Sequence, residues 1–216
     1  MSKAIYTLSL CGLVLCAASV WAADRDAVAI DTIGVEMKSF DDGDSFKAFV
    51  LGEVAVAGGD PTWSILVGGG WGEISPDNLA DIKFWEAGLG IKYYLTALTS
   101  FSLFGSFGQY YDLADNPEIL TGTARFKQRL VPAERAVSPY VLGDFSYRSA
   151  DRPYTAGSAG DYDEIVLAGF LGCDFMLTDT LSLMLEAGYA VAEKVSGDFE
   201  TPETVIGRAG FRGYWD

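Results

Sequence analysis

With 216 residues, half of them hydrophobic, the chain is long enough for one domain and short for two. Its formal charge of −15, from 30 acidic and 15 basic residues, excludes the basic footprint that nucleic-acid binding requires. Glycine is abundant (25), aromatics are frequent (Phe 13, Tyr 11, Trp 5) and histidine is absent, a mix that suits many strands joined by turns.

The first 22 residues have the layout of a secretory signal: Lys3, an apolar run from Leu8 to Leu15, then Val20-Trp21-Ala22 with short residues at −3 and −1. Cleavage is expected after Ala22, leaving 23–216 as the mature domain. The apolar run is shorter than the ~20 residues a helix needs to span hydrocarbon. Cys11 and Cys16 leave with the signal, and each follows a leucine where a lipoprotein signal wants a small residue. Cys173 then stands single, so no intramolecular disulfide is expected.

Ten segments with period-two patterning follow, separated by turn signals. The first, about Ala27–Ser39, sets Val35 and Met37 against Glu36 and Lys38, with a bulge expected at Gly34, where the alternation blurs. The second, about Ser45–Ala57, opposes Phe46, Ala48, Val50 and Val54 to Lys47 and Glu53. In the third, Thr62–Glu73, Trp63, Ile65, Val67 and Trp71 share one face, and Gly68, Gly70 and Gly72 the other. The fourth, Ile82–Leu95, sets Trp85, Leu89, Ile91 and Tyr93 against Glu86, Gly88, Gly90 and Lys92.

The fifth, about Ser100–Tyr111, presents Phe101, Leu103 and Phe107. In the sixth, Ile119–Leu130, apolar Leu120, Ala124 and Phe126 oppose Arg125, Lys127 and Arg129. The seventh, Ser138–Arg148, and the eighth, Asp163–Leu177, flank the longest connection, Ser149–Tyr162. The ninth, Leu181–Glu193, leads to a last strand from Thr204 to the chain end. There Val205, Gly207, Ala209, Phe211 and Trp215 lie on one face, and Ile206, Arg208, Arg212 and Tyr214 on the other.

Such strands fit a soluble barrel with the apolar face inward or a membrane barrel with it outward. Glu53, Glu86, Arg125, Asp144, Glu186 and Arg208 put acids and bases together at mid-strand on the polar faces, which favours a charged interior. Aromatics recur at both ends of the apolar face: Trp63 and Trp71 are eight residues apart, as are Trp85 and Tyr93. Tilted by ~40°, that separation spans roughly 20 Å, near the ~25 Å between the aromatic girdles of a membrane barrel. Connections alternate between tight ones and longer or acidic ones, and an even strand number places both termini on the tight side. The expectation is an all-β, antiparallel up-and-down transmembrane barrel of about ten strands, with eight as the alternative.

Over 23–216 the chain resembles the small outer-membrane β-barrels, the OmpA/OmpX-like and related porin-type barrels. The last strand is the most specific part: Phe211 and Trp215 resemble the signal read by the barrel-assembly machinery. That family ideally ends on Phe, whereas here Asp216 follows Trp215. The resemblance implies an outer-membrane location, contact with outer-membrane lipid, a monomer, a periplasmic girdle at Trp215, no cofactor and no nucleic-acid partner. Enzymes among such barrels rely on histidine, so an enzyme is not expected of this chain. A structural or surface-interaction role is expected, with a narrow porin-like channel for small solutes as the alternative.

Within the lumen, turn geometry sets Arg125 opposite Asp144 and Glu186 opposite Arg208, close enough to form ion pairs. Glu53, Glu86, Lys92 and Arg212 are the other lumen charges, with Glu36 an acid within reach across the closing seam. The pairs either satisfy one another or gate a water path. Gly68, Gly70, Gly72, Gly88 and Gly90 make room for bulky side chains such as Phe104 or Phe170, or leave a passage. Acidic connections carrying Asp41, Asp42, Asp77, Asp112, Asp161 and Asp198 are solvated, with weak divalent-cation binding as their functional reading.

Overall fold

Alternating side chains over runs of 12 to 17 residues leave each segment one polar and one apolar face, and a curled sheet sorts the two. The computed structural model describes residues 29–40, 43–55, 63–76, 81–111, 117–132, 135–150, 162–196 and 203–215. It contains ten strands: β1 (Ala29–Phe40), β2 (Gly43–Ala55), β3 (Trp63–Pro76), β4 (Ile82–Tyr94), β5 (Thr99–Tyr111), β6 (Glu118–Arg129), β7 (Val137–Ala150), β8 (Tyr162–Thr178), β9 (Leu181–Ser196) and β10 (Thr204–Trp215). Each pairs antiparallel with its sequence neighbours, and β1 pairs β10 to close the barrel. Closure leaves no open edge, the liability of any isolated sheet.

The up-and-down order and the count of ten agree with the expectation, and the eight-strand alternative is set aside. The expected leader, 1–22, lies outside the described residues. At Gly34 no bulge occurs: β1 keeps an unbroken register with both β10 and β2. Gly34 faces inward, and the ring of Phe49 lies so close that a Cβ there would meet its Cζ at 2.8 Å. The alternation blurs because the position needs space, not an extra residue. Register shifts fall instead on β8 and β9, at Asp163/Glu164 and Met176/Thr178.

The outward faces are apolar. Ile33, Met37, Leu89, Leu120 and Leu171 are between 55% and 71% exposed, and outward positions on every strand repeat this pattern. Inside, two apolar clusters fill part of the space. Tyr140, Leu142, Phe170, Ala190 and Ile206 pack together on the β7–β10 side, and Ile74, Ile82 and Tyr110 pack with Phe84 and Ile119 on the β3–β6 side. The remaining inward positions carry charged side chains among serines, threonines and glycines.

Candidate functional site: the charged lumen

Parity along each strand decides which charges enter the barrel. Among the described residues the bases facing inward are Lys38, Lys47, Lys92, Arg125, Lys127, Arg129, Arg148, Lys194, Arg208 and Arg212. The inward acids are Glu36, Glu53, Glu86, Asp144, Glu164, Asp174 and Glu186. Ten bases thus meet seven acids inside a chain whose overall charge is −15. Among the described residues the lumen thus carries more bases than acids, although the chain as a whole is acidic.

Arg125 of β6 and Asp144 of β7 are directly opposed, and the guanidinium donates through Nε and Nη2 to the two carboxylate oxygens, both at 2.7 Å. Two parallel charge-assisted bonds are the strongest geometry such a pair attains. Arg208 of β10 lies opposite Glu186 of β9 on one side and Glu36 of β1 on the other. It donates from Nε to Glu36 across the closing seam and from Nη1 to Glu186 Oε2 at 3.3 Å, with Asp144 Oδ2 at 3.9 Å. The ring of Phe170 lies 4.2 Å from its guanidinium carbon. Arg208 is therefore a hub for three acids.

Other contacts skip a strand. Lys47 of β2 donates to Glu86 of β4, and Lys92 of β4 donates to Glu53 of β2 at 2.8 Å, where the Tyr94 hydroxyl donates as well. Asp174 of β8, whose side chain is only 1% exposed, accepts at Oδ2 from Arg129 of β6 and Arg212 of β10, each at 2.8 Å. Reading turns and hairpins does not find Asp174, because its partners lie two strands away on either side. The only signal in the sequence is an acid at an inward parity position among three inward bases. Near the other end of the lumen, Arg148 donates to Glu164 at 2.9 Å.

Most of the inward glycines receive a neighbour's side chain. Phe84 lies over Gly72, Phe104 over Gly88 and Gly90, Tyr140 over Gly172 and Phe170 over Gly188. In most of these the ring comes from the residue directly opposite: Gly72↔Phe84, Gly90↔Phe104, Tyr140↔Gly172 and Phe170↔Gly188. Gly70 takes the Lys47 stem and Gly68 the Leu51 side chain. The glycine tract of β3 and β4 is thus occupied from adjacent strands, not from across the barrel, and forms no open groove there. A Cβ at Gly172 would sit 2.2 Å from the Tyr140 ring, closer than carbon atoms approach.

On the outward face the four aromatics of β3 and β4 form two levels. Trp63 opposes Tyr93, with ring centroids 4.8 Å apart, and Trp71 opposes Trp85, which also packs edge-on to Phe107 at 5.7 Å. Phe211 faces outward, 53% exposed, whereas the Trp215 side chain lies outside the described residues. So do Asp41, Asp42, Asp77, Asp112, Asp161 and Asp198, and among the described residues no group of three metal-ligating side chains occurs.

The opposed geometry carries an expected result. Arg125→Ala and Asp144→Ala should each destabilise the folded barrel, and a double-mutant cycle by urea unfolding in lipid vesicles should show a coupling of about 1–3 kcal/mol. Additive losses would show that the two side chains do not depend on one another.

No protein-family model and no curated protein sequence matches this chain. Solved structures do. The chain is similar to the beta domain of the Bordetella autotransporter BrkA, at 10% identity and a TM-score of 0.50, over 87% of this chain and 98% of that one. The translocator domain of autotransporter NalP from Neisseria meningitidis aligns at 12% identity and a TM-score of 0.48, over 99% of both chains. The N-terminal β-barrel domain of Pseudomonas aeruginosa OprF aligns at 14% identity and a TM-score of 0.39, over 87% of this chain and 98% of that one. At such identities the likeness to the BrkA domain is one of fold, and together with the closed ten-strand order it gives this chain the fold of the outer-membrane β-barrels.

Proposed function

We propose that this chain is an integral outer-membrane protein, exported through a leader cleaved after Ala22, with a structural or surface-interaction role and a largely filled lumen. The observation that carries the reading is the inversion of polarity: large side chains such as Leu171 (71% exposed) and Leu89 (66%) face out, while Asp174 and Glu164 are buried within. A soluble protein rarely leaves an apolar patch larger than a few hundred Å² in contact with water, and here the whole girth is apolar. Strands of 12 or more residues also exceed the ~9–11 a tilted transmembrane strand needs. Paired charges and rings seated on glycines support the filled lumen. The chain holds no histidine, and a role without catalysis fits that composition. Barrel-assembly machinery and outer-membrane lipid are the partners this reading implies, with the barrel acting as a monomer and its acidic connections binding divalent cations weakly.

The expected result is a heat-modifiable band: membrane-fraction protein should migrate differently on a gel before and after boiling. Protein that stays in solution without detergent and shows one mobility would overturn the membrane reading. A second reading, a narrow channel, draws on the Arg125 side chain, which remains 33% exposed in mid-lumen despite its bidentate partner. Planar-bilayer recordings separate the two, since a filled lumen gives no discrete openings.

A further inference from the structure

At the end of the lumen nearest the short turns, three cations converge on one acid. Arg129 and Arg212 both donate to Asp174 Oδ2, and the Lys127 ammonium stands 3.9 Å from the same oxygen, beyond hydrogen-bond reach. Lys127 has three N–H donors and, among the described residues, no acceptor within bonding distance. Its closest stabilising contact is the Tyr140 ring, with the ammonium 3.4 Å from the centroid. The Tyr140 hydroxyl is already committed to Glu186 at 2.8 Å. Glu53 is held by Lys92 and Tyr94. Three cations on side chains only 13–15% exposed thus crowd one carboxylate. Sequestered charge is costly unless a counter-charge and hydrogen bonds accompany it.

We infer that this cluster is a binding site for a small anion, held by the Lys127 ammonium with the Arg129 and Arg212 guanidiniums around it. A halide and a compact oxyanion such as phosphate both have the chemistry: small size, negative charge and acceptance of N–H bonds. Asp174 keeps the two arginines in place and leaves the Lys127 ammonium with donors for the ligand. The site rests on the closed barrel but not on whether the lumen conducts. Because gel mobility tests the barrel separately, failure of the one reading is distinguishable from failure of the other.

The test uses the full mature protein folded in zwitterionic detergent, with the unfolding midpoint followed against sodium chloride and, in a parallel arm, sodium phosphate at fixed ionic strength. A ligand that binds only the folded state raises the midpoint along a curve set by its affinity. Wild type should show such a saturating rise in at least one arm, which also separates halide from oxyanion. In Lys127→Met the affinity should be weaker by about tenfold or more, the scale of a lost charge-assisted bond. Phosphate also stabilises folded proteins generally by exclusion from their surface, but that effect does not saturate and is the same in the variant. No saturating rise in wild type, or an equal one in Lys127→Met, overturns the inference. Should Lys127→Met not fold, calorimetric titration of wild type decides: saturable heat with either anion supports the site, and its absence with both overturns it.

Discussion

Asp174→Ala should cost the barrel about 3–5 kcal/mol, the scale found when one partner of a buried ion pair is removed and the other is left uncompensated. Its single oxygen Oδ2 serves Arg129 and Arg212 at 2.8 Å each, with Lys127 at 3.9 Å. Without it three cations of β6 and β10 face one another with no acid between them. Asp174→Asn separates charge from shape: it preserves the volume and one acceptor, yet leaves the three positive charges unbalanced. Both variants should therefore lose stability by urea unfolding in lipid vesicles, Ala at least as much as Asn. A loss below about 1 kcal/mol in both would mean that water or another group already balances these cations, and that Asp174 is not their anchor.

Leu171→Arg should destabilise the barrel by about 2–4 kcal/mol in lipid vesicles, the cost of an arginine on the lipid face at mid-depth. Leu171 lies midway along β8, flanked by Val141 and Ala187, and is 71% exposed. For a protein surrounded by water the same change would be nearly neutral, because exposed substitutions away from special features stay within about 0.5 kcal/mol. The two media therefore predict different outcomes from one variant. An unchanged unfolding midpoint would put water, not hydrocarbon, against this face. Moving the arginine toward either rim should reduce the penalty, since the cost falls off near the membrane interfaces.

Much of this architecture is legible because its period is two. Parity alone tells that Arg125, Asp144, Glu186 and Arg208 share the inside, and pairing across one hairpin follows from where its turn is centred. Contacts that skip a strand are hidden for a physical reason. Lys47 to Glu86 and Lys92 to Glu53 join β2 to β4, and Asp174 joins β6, β8 and β10. These depend on side-chain reach and on barrel curvature, which brings alternate strands together only on the concave side. The glycines show the same division. That they accommodate bulky neighbours is readable from their inward position, but which ring occupies which glycine depends on the local register. Phe170 lies on Gly188, one strand away, and not in the β3–β4 tract. At Gly34 the local pattern misleads, since a gap made for a ring looks like a slipped register.

The seam between β1 and β10 has a consequence for how the chain reaches this state. Every other pairing joins strands adjacent in sequence, so nine hairpins form from local contacts with modest loop-closure entropy. The seam alone spans the molecule: Arg208 meets Glu36 at a sequence separation of 172, and neither Phe211 nor Val205 has a partner on β1 until the chain has emerged in full. Until then the growing sheet has two raw edges, at β1 and at its newest strand, each able to pair with another chain. The Arg208–Glu36 bond serves as a latch that engages only in the last step. A chain truncated before β10 should consequently remain an open, aggregation-prone sheet, however many hairpins it has completed.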